Sequence, residues 1–207
     1  LSVFEWSQRK GWPILLEAYF REFTHKDNVC LFLKTYLLHK PDKDVKKELK
    51  ERIISFAESI KLDIHKLPKF ELITQQLPFK DLPSFYKAFD CLVIPSHGEG
   101  WGRPHCEAMS MELPVIATNW SGNTEFMNKD NSYLIDVEEL VDIKDTEIQF
   151  YQGHRWAKPS VRHLGELMRH VYENPEMAKE KGRKARHDMI ASYSCEVIGN
   201  KVLSRLN

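Results

Sequence analysis

Glu99 and Glu107, with seven residues between them, lie in the stretch Gly98-Glu99-Gly100-Trp101-Gly102-Arg103-Pro104-His105-Cys106-Glu107-Ala108-Met109. Two carboxylates at that spacing, one in a glycine-punctuated loop and one on the helix that follows, are acceptors for hydroxyl groups. Pro104 fits the first turn of a helix, where its missing N–H costs nothing. Glu107 then projects from the first turns of that helix. The N–H groups at a helix start have no intrahelical partner and favour an anionic or hydroxyl-rich guest. Glycines without a β-carbon let such a guest come close to the backbone. The chemistry on offer is capture of a ligand carrying both negative charge and hydroxyls.

The flanking segments must position that loop. Cys91 to Pro95 is a short apolar run that reads as a buried strand, and Leu113 to Thr118 reads as the next, giving a strand–loop–helix–strand unit. Upstream, Ser2 to Phe4 is a strand stub, Pro13 to Phe23 a helix and Val29 to Leu37 an apolar strand, which completes a first βαβ unit. Asp44 to Leu62 has helical apolar spacing, Phe70 to Leu77 reads as a strand, and Leu82 to Phe89 as a short helix. Such alternation predicts an α/β fold with a parallel sheet and helices on both faces, its ligand loop at a strand's carboxyl end. Val137 to Ile148 is acidic and reads as loop-rich. Ser160 to Asn174 is an amphipathic helix, and Pro175 to Tyr193 a last helical stretch. No linker or repeat interrupts the chain, so residues 1–207 are read as one Rossmann-like unit.

Pro95-Ser96, Glu99-Gly100-Trp101-Gly102, Glu107-Ala108-Met109 and Pro114-Val115-Ile116-Ala117-Thr118 together resemble the E-x7-E signature of family 4 retaining glycosyltransferases. Leu82 to Asp90 resembles the helix before the family's "ADv" strand, Ser121 to Glu125 its later "GG…E" turn, and Lys10-Gly11 its first-helix "KG". The resemblance is strongest from Leu82 to Ile135. It implies the C-terminal, donor-binding Rossmann-like domain of a two-domain GT-B fold, with the N-terminal acceptor domain absent and the isolated domain inactive. It also implies transfer of a hexosyl group from a nucleoside-diphosphate sugar to an acceptor hydroxyl with retention of configuration.

Residue by residue, the resemblance gives Glu107 to the ribose hydroxyls, Glu99 to the donor sugar and Lys10 to the diphosphate, with Glu99 and Lys10 as the catalytic pair. Gly100 and Gly102 supply backbone contacts, and Trp101 is a wall residue that replaces the family's common phenylalanine. Leu77 and Phe79 lie after the strand whose end borders the base in such folds, which leaves apolar packing and base contact both open to them. The family's arginine at the end of the first strand is missing, since Phe4 or Glu5 stands there; Arg9 is the candidate substitute and Arg103 a third cation. Glu112 stands where the family has glycine, and Trp120-Ser121-Gly122 replaces its "xGG". Glu125 is as well explained by a helix cap as by nucleotide contact. An altered first loop also leaves open a non-catalytic nucleotide-sugar-binding or regulatory module, or a scaffold that binds no nucleotide.

Thirty basic and thirty acidic residues balance, so no bulk field recruits nucleic acid or an anionic membrane. The basic run Lys179 to Arg186 is interleaved with acids and reads as a solvated helix face. No apolar run reaches the roughly 20 residues of a membrane span; membrane association is not indicated and a cytoplasmic location is expected. Cys30, Cys91, Cys106 and Cys195 have no metal-like spacing and read as free, buried thiols. Nine histidines are scattered, with His97 and His105 flanking the motif. No metal or other cofactor is expected. Neither a Gly-x-Gly-x-x-Gly after the first strand nor a P-loop is present, which removes dehydrogenase and P-loop readings.

Overall fold

Strands and helices alternate from the first residues of the computed structural model, which describes residues 1–37, 42–144 and 149–206. In chain order they are β1 (Ser2–Glu5), α1 (Trp12–Glu22), β2 (Cys30–Tyr36), α2 (Asp42–Ser59), β3 (Lys69–Ile73), α3 (Leu82–Lys87), β4 (Leu92–Ile94), α4 (Arg103–Ser110) and β5 (Val115–Thr118). There follow β6 (Tyr133–Ile135), β7 (Val137–Asp142), β8 (Arg155–Pro159), α5 (Val161–Glu173), α6 (Pro175–Tyr193) and α7 (Cys195–Leu206). β1, β2 and β3 pair in parallel, as do β4, β5 and β6. The two sets meet at the start of β1. There the Leu1 amino group donates to the Cys91 carbonyl at 2.8 Å, the Val93 N–H to the Leu1 carbonyl at 2.8 Å and the Ser2 hydroxyl to the Val93 carbonyl at 2.6 Å. The spatial order is therefore β3-β2-β1-β4-β5-β6, which reverses direction between β1 and β4, where α/β sheets bind ligands at their carboxyl ends.

The two-residue period of the strands divides the core. Leu92, Ile94, Val115 and Ala117 pack with Ala108 and Met109 of α4, Tyr86 of α3 and Met189 of α6. Val93, Ile116 and Ile135 pack on the other face with α1, α2 and α5 through Leu15, Leu16, Leu49, Ile53 and Leu164. Branched residues buried on both faces are what a covered parallel sheet requires.

Three sequence expectations change. β3 stops at Ile73, before exposed Gln75 and Gln76, so Leu77 lies in the loop beyond it rather than in the strand. The acidic stretch after Ile135 is not loop-rich over Val137–Asp142: it is one arm of an antiparallel hairpin with β8, while residues 145–148 lie outside the described residues. The Lys158 ammonium bridges Glu138 at 3.1 Å and Glu139 at 3.5 Å, which offsets the acidity of β7 across the ribbon. The four cysteines are free, but Cys30, Cys91 and Cys106 are half-buried and Cys195 is exposed. Among the described residues no helix is long and apolar enough to cross a membrane.

Candidate functional site

Three segments converge on the loop after β4. The first is the turn after β1, where a 3-10 helix (Gln8–Lys10) leads through Gly11 into α1. A β-carbon on Gly11 would lie 2.0 Å from the Pro95 carbonyl oxygen, so only glycine lets this turn sit against the end of β4. That approach brings Lys10 and Arg9 to Glu99. The Lys10 ammonium donates to both Glu99 carboxylate oxygens at 2.7 and 2.9 Å, and Arg9 Nη1 donates to Glu99 Oε2 at 3.2 Å and to the Gly98 carbonyl at 2.7 Å. Arg9 Nε is buried without a hydrogen-bond partner among the described residues. β1 itself ends on Phe4 and Glu5, with Phe4 in the core, so the cations of this site come from the turn and not from the strand.

Burial alone would raise the Glu99 carboxyl, but Lys10, and more weakly Arg9, hold it below the usual carboxylate range. His105 lies beside this pair, almost fully buried, and neither ring nitrogen makes a well-formed hydrogen bond among the described residues. Burial pushes its pKa down to about 4, more than the nearby Glu99 charge restores, so the ring is neutral at pH 7.

The second segment is the turn Trp120–Gly122 after β5. Ser121 Oγ accepts the Glu99 N–H at 2.7 Å, and the Gly122 N–H donates to the Glu99 carbonyl at 3.0 Å. Among the described residues the next three N–H groups, of Gly100, Trp101 and Gly102, have no partner. The third segment is β8: the Ala157 N–H donates to the His97 carbonyl at 3.1 Å, the His97 Nδ1 and the Ala157 carbonyl are 2.6 Å apart, and the His97 ring stacks on Trp156 with centroids at 4.5 Å.

Glu107 sits on α4, away from the Lys10 cluster. The Tyr86 hydroxyl donates to Glu107 Oε2 at 2.7 Å, while Arg103 Nη2 stands 3.7 Å from Oε1. Both Glu107 and Tyr86 line a cavity of about 590 Å³ walled by Phe79, Trp101, Met189 and Tyr193. Trp101 lines this cavity and rests on Phe126, with ring centroids 5.1 Å apart, and on Tyr193 at 5.7 Å. Phe79 also lines this cavity, whereas Leu77 is half-buried and does not. Of the predicted residues, Arg9 and Lys10 meet Glu99 at the loop that carries Gly100 and Gly102, Trp101 and Glu107 line the cavity, and Leu77 does not. Sequence reasoning missed Tyr86 and the β8 buttress. A buried tyrosine hydroxyl needs a partner, and that rule was the signal available for Tyr86. Among the described residues no group of three or more His, Cys, Asp or Glu side chains is placed to hold a metal ion.

Cations beside a carboxylate, bare N–H groups on a glycine loop and a second carboxylate in an apolar cavity make a class of site suited to an anionic, hydroxyl-bearing ligand with a flat apolar end. Residues 4–146 match the family described as Glycosyl transferases group 1, and the chain belongs to that family. It is 31% identical over 99 residues to the O-antigen chain mannosyltransferase B of Escherichia coli, covering 47% of this chain and 26% of that protein. It is 32% identical over 86 residues to the capsular polysaccharide biosynthesis glycosyltransferase CapM of Staphylococcus aureus, covering 36% of this chain and 22% of that protein. The chain thus aligns with only about a quarter of each relative's length. The crystal structure of the C-terminal domain of the group 1 glycosyl transferase LpcC from Francisella tularensis superposes with a TM-score of 0.66 at 19% identity, over 94% of this chain and 85% of that one. Anabaena HepE, crystallised with UDP and glucose, superposes with a TM-score of 0.68 at 17% identity, over 99% of this chain and 47% of that one. The fold is that of the C-terminal domain of a GT-B glycosyltransferase.

Proposed function

We propose that this chain is the donor-binding half of a retaining glycosyltransferase of the family 4 type. It holds a nucleoside-diphosphate sugar in the crevice between β1 and β4 while a second domain presents the acceptor hydroxyl. The observation that carries this reading is the division of the site into two carboxylate stations: Glu107 with Tyr86 in an apolar cavity, and Glu99 with Lys10 and Arg9 under the glycine loop. Ribose and base occupy the first station and the sugar the second. The diphosphate lies between them, at the start of α4. Transfer breaks the bond from the anomeric carbon to the diphosphate oxygen and forms one to the acceptor oxygen. Negative charge grows on the leaving diphosphate, and cations with fixed N–H donors in a partly buried site stabilise it without reorganising. Lys10, Arg9 and the N–H groups of Gly100 to Gly102 are the donors that can do this, so the reading requires no metal. The crystal structure of Anabaena HepE with UDP-glucose supports a sugar nucleotide as the donor class. A cytosolic setting accords with four free thiols, which stay reduced there.

A second reading, a module that binds the sugar nucleotide without transferring it, is motivated by the strand end on Glu5, where no cation stands, and by the ion pair in which Glu99 neutralises Lys10. Calorimetric titration with UDP, GDP and ADP and their glucose or mannose conjugates tests both. One nucleotide family is expected to bind, and Glu107→Ala to weaken it by about 1.5–3 kcal/mol, the size of a lost charged hydrogen bond. Absence of binding by every compound would remove both readings in favour of a bare scaffold. Binding with no sugar transfer by the whole protein, supplied with acceptor, would leave the second.

A further inference from the structure

Among the described residues three that are not glycine have positive φ: Lys61, Glu112 and Ser121. Lys61 and Glu112 follow the ends of α2 and α4, where a left-handed residue is common. Ser121 follows no helix. Its φ of 69° and ψ of −156° fall in a region that is essentially glycine's alone, and a side chain persists there only when its surroundings hold it. The surroundings do so. The Ser121 carbonyl accepts the Thr124 N–H at 3.0 Å and the Thr124 hydroxyl at 2.7 Å, while Asn123 Nδ2 donates to the Thr118 carbonyl at 2.9 Å.

A glycine at this position would avoid the strain but could not supply a hydroxyl. The hydroxyl that Ser121 adds takes the Glu99 N–H at 2.7 Å. Its neighbour does the complementary work: Gly122 donates to the Glu99 carbonyl, and a β-carbon there would lie 2.1 Å from the Gly100 carbonyl oxygen. Both backbone polar groups of Glu99 are therefore held by one turn, and the carboxylate is aimed at Lys10 and Arg9 with only 6% of its side chain exposed.

We propose that Ser121 is a positioning residue: a serine kept in a glycine conformation so that its hydroxyl clamps Glu99 in register for the sugar of the donor. The inference rests on the donor-site reading above and adds that the clamp serves the sugar half alone, because Glu107 and Tyr86 hold the nucleoside half from α4 and α3. A purely structural serine and a positioning serine differ in the sign of one pair of effects. Ser121→Gly removes strain and clamp together, so the melting temperature rises by about 2–4 °C, the size of a net gain near one hydrogen bond's worth in a chain of this length. Affinity for UDP-glucose falls about tenfold in the same variant while affinity for UDP changes less than about twofold. Ser121→Ala keeps the strain and loses the clamp; its melting temperature falls and the same selective loss appears.

Calorimetry with UDP and UDP-glucose, or with GDP and GDP-mannose if that pair is the one that binds, reads the affinities. Amide hydrogen exchange at Glu99 reads the clamp directly and is expected to quicken about tenfold or more in both variants. A Ser121→Gly protein that binds the sugar nucleotide as tightly as wild type, or that loses nucleotide and sugar nucleotide equally, overturns the proposal. Wild-type protein that binds none of these ligands while Glu99 exchange still quickens in the variants would sink the donor-site reading and leave the clamp standing.

Discussion

Two buried titratable groups, Glu99 and His105, make the site sensitive to acid. The unfolded chain protonates His105 near its ordinary 6.5, whereas the folded chain does so only near 4. A depressed folded pKa contributes stability that is complete above 6.5 and drains away as pH falls toward 4, because the unfolded state binds the proton first. At 1.36 kcal/mol per unit this amounts to about 2–3 kcal/mol by pH 4.5. Glu99 acts in the same direction at lower pH: Lys10 holds its carboxyl below the ordinary carboxylate range, so its contribution fades as pH falls through that range. His105→Leu removes the first of these slopes. Urea denaturation at pH 7 and pH 4.5 is expected to show wild type losing about 2–3 kcal/mol more than the variant between the two conditions; equal losses would refute the assignment of the slope to His105.

Among the elements, the contact between the β1 turn and the end of β4 carries the geometry of the site, and its test is steric. Gly11→Ala sets a β-carbon 2.0 Å from the Pro95 carbonyl at a φ of 68°. The turn must retreat, at a cost of about 1–3 kcal/mol from overpacking, and it takes Lys10 away from Glu99. Denaturant unfolding should report the destabilisation and calorimetry a weakened diphosphate; a variant as stable as wild type would mean that the turn has slack the structure does not show. This contact was legible beforehand only as a Lys-Gly pair. Five strands of the parallel core were legible, because strands buried on both faces leave unbroken apolar runs such as Leu92 to Ile94 and Val115 to Ala117, whereas the three-residue β6 (Tyr133–Ile135) was too short to leave one. The β7–β8 hairpin was not, since an exposed ribbon needs no apolar run: Glu138 and Glu139 are matched by Lys158, a residue on the opposite strand and distant in sequence. Nor was α7, whose Ile198, Val202, Leu203 and Leu206 are exposed, so no burial pattern marks the helix. Within the site, Glu99 and Glu107 could be named from spacing and Lys10 from the resemblance of Lys10-Gly11 to the family's "KG", but the pairing of Lys10 with Glu99 and the Tyr86 bond depend on how elements meet.

At the scale of the whole molecule, equal numbers of acidic and basic residues leave no general field to gather an anionic donor. Recognition has to come from the local arrangement at the switch of the sheet, where the turns after β1 and β5 and the strand β8 fix the loop after β4. The central claim is that this one face holds a sugar nucleotide in a defined direction, nucleoside at Glu107 and sugar at Glu99. A crystal structure of the chain with UDP-glucose, or with the sugar nucleotide that calorimetry selects, tests it most directly. The account predicts ribose hydroxyls within hydrogen-bond distance of Glu107, the diphosphate on Arg9, Lys10 and the N–H groups of Gly100 to Gly102, and the sugar hydroxyls at Glu99. A nucleotide bound elsewhere, or bound in the reverse direction with its ribose at Glu99, would contradict it.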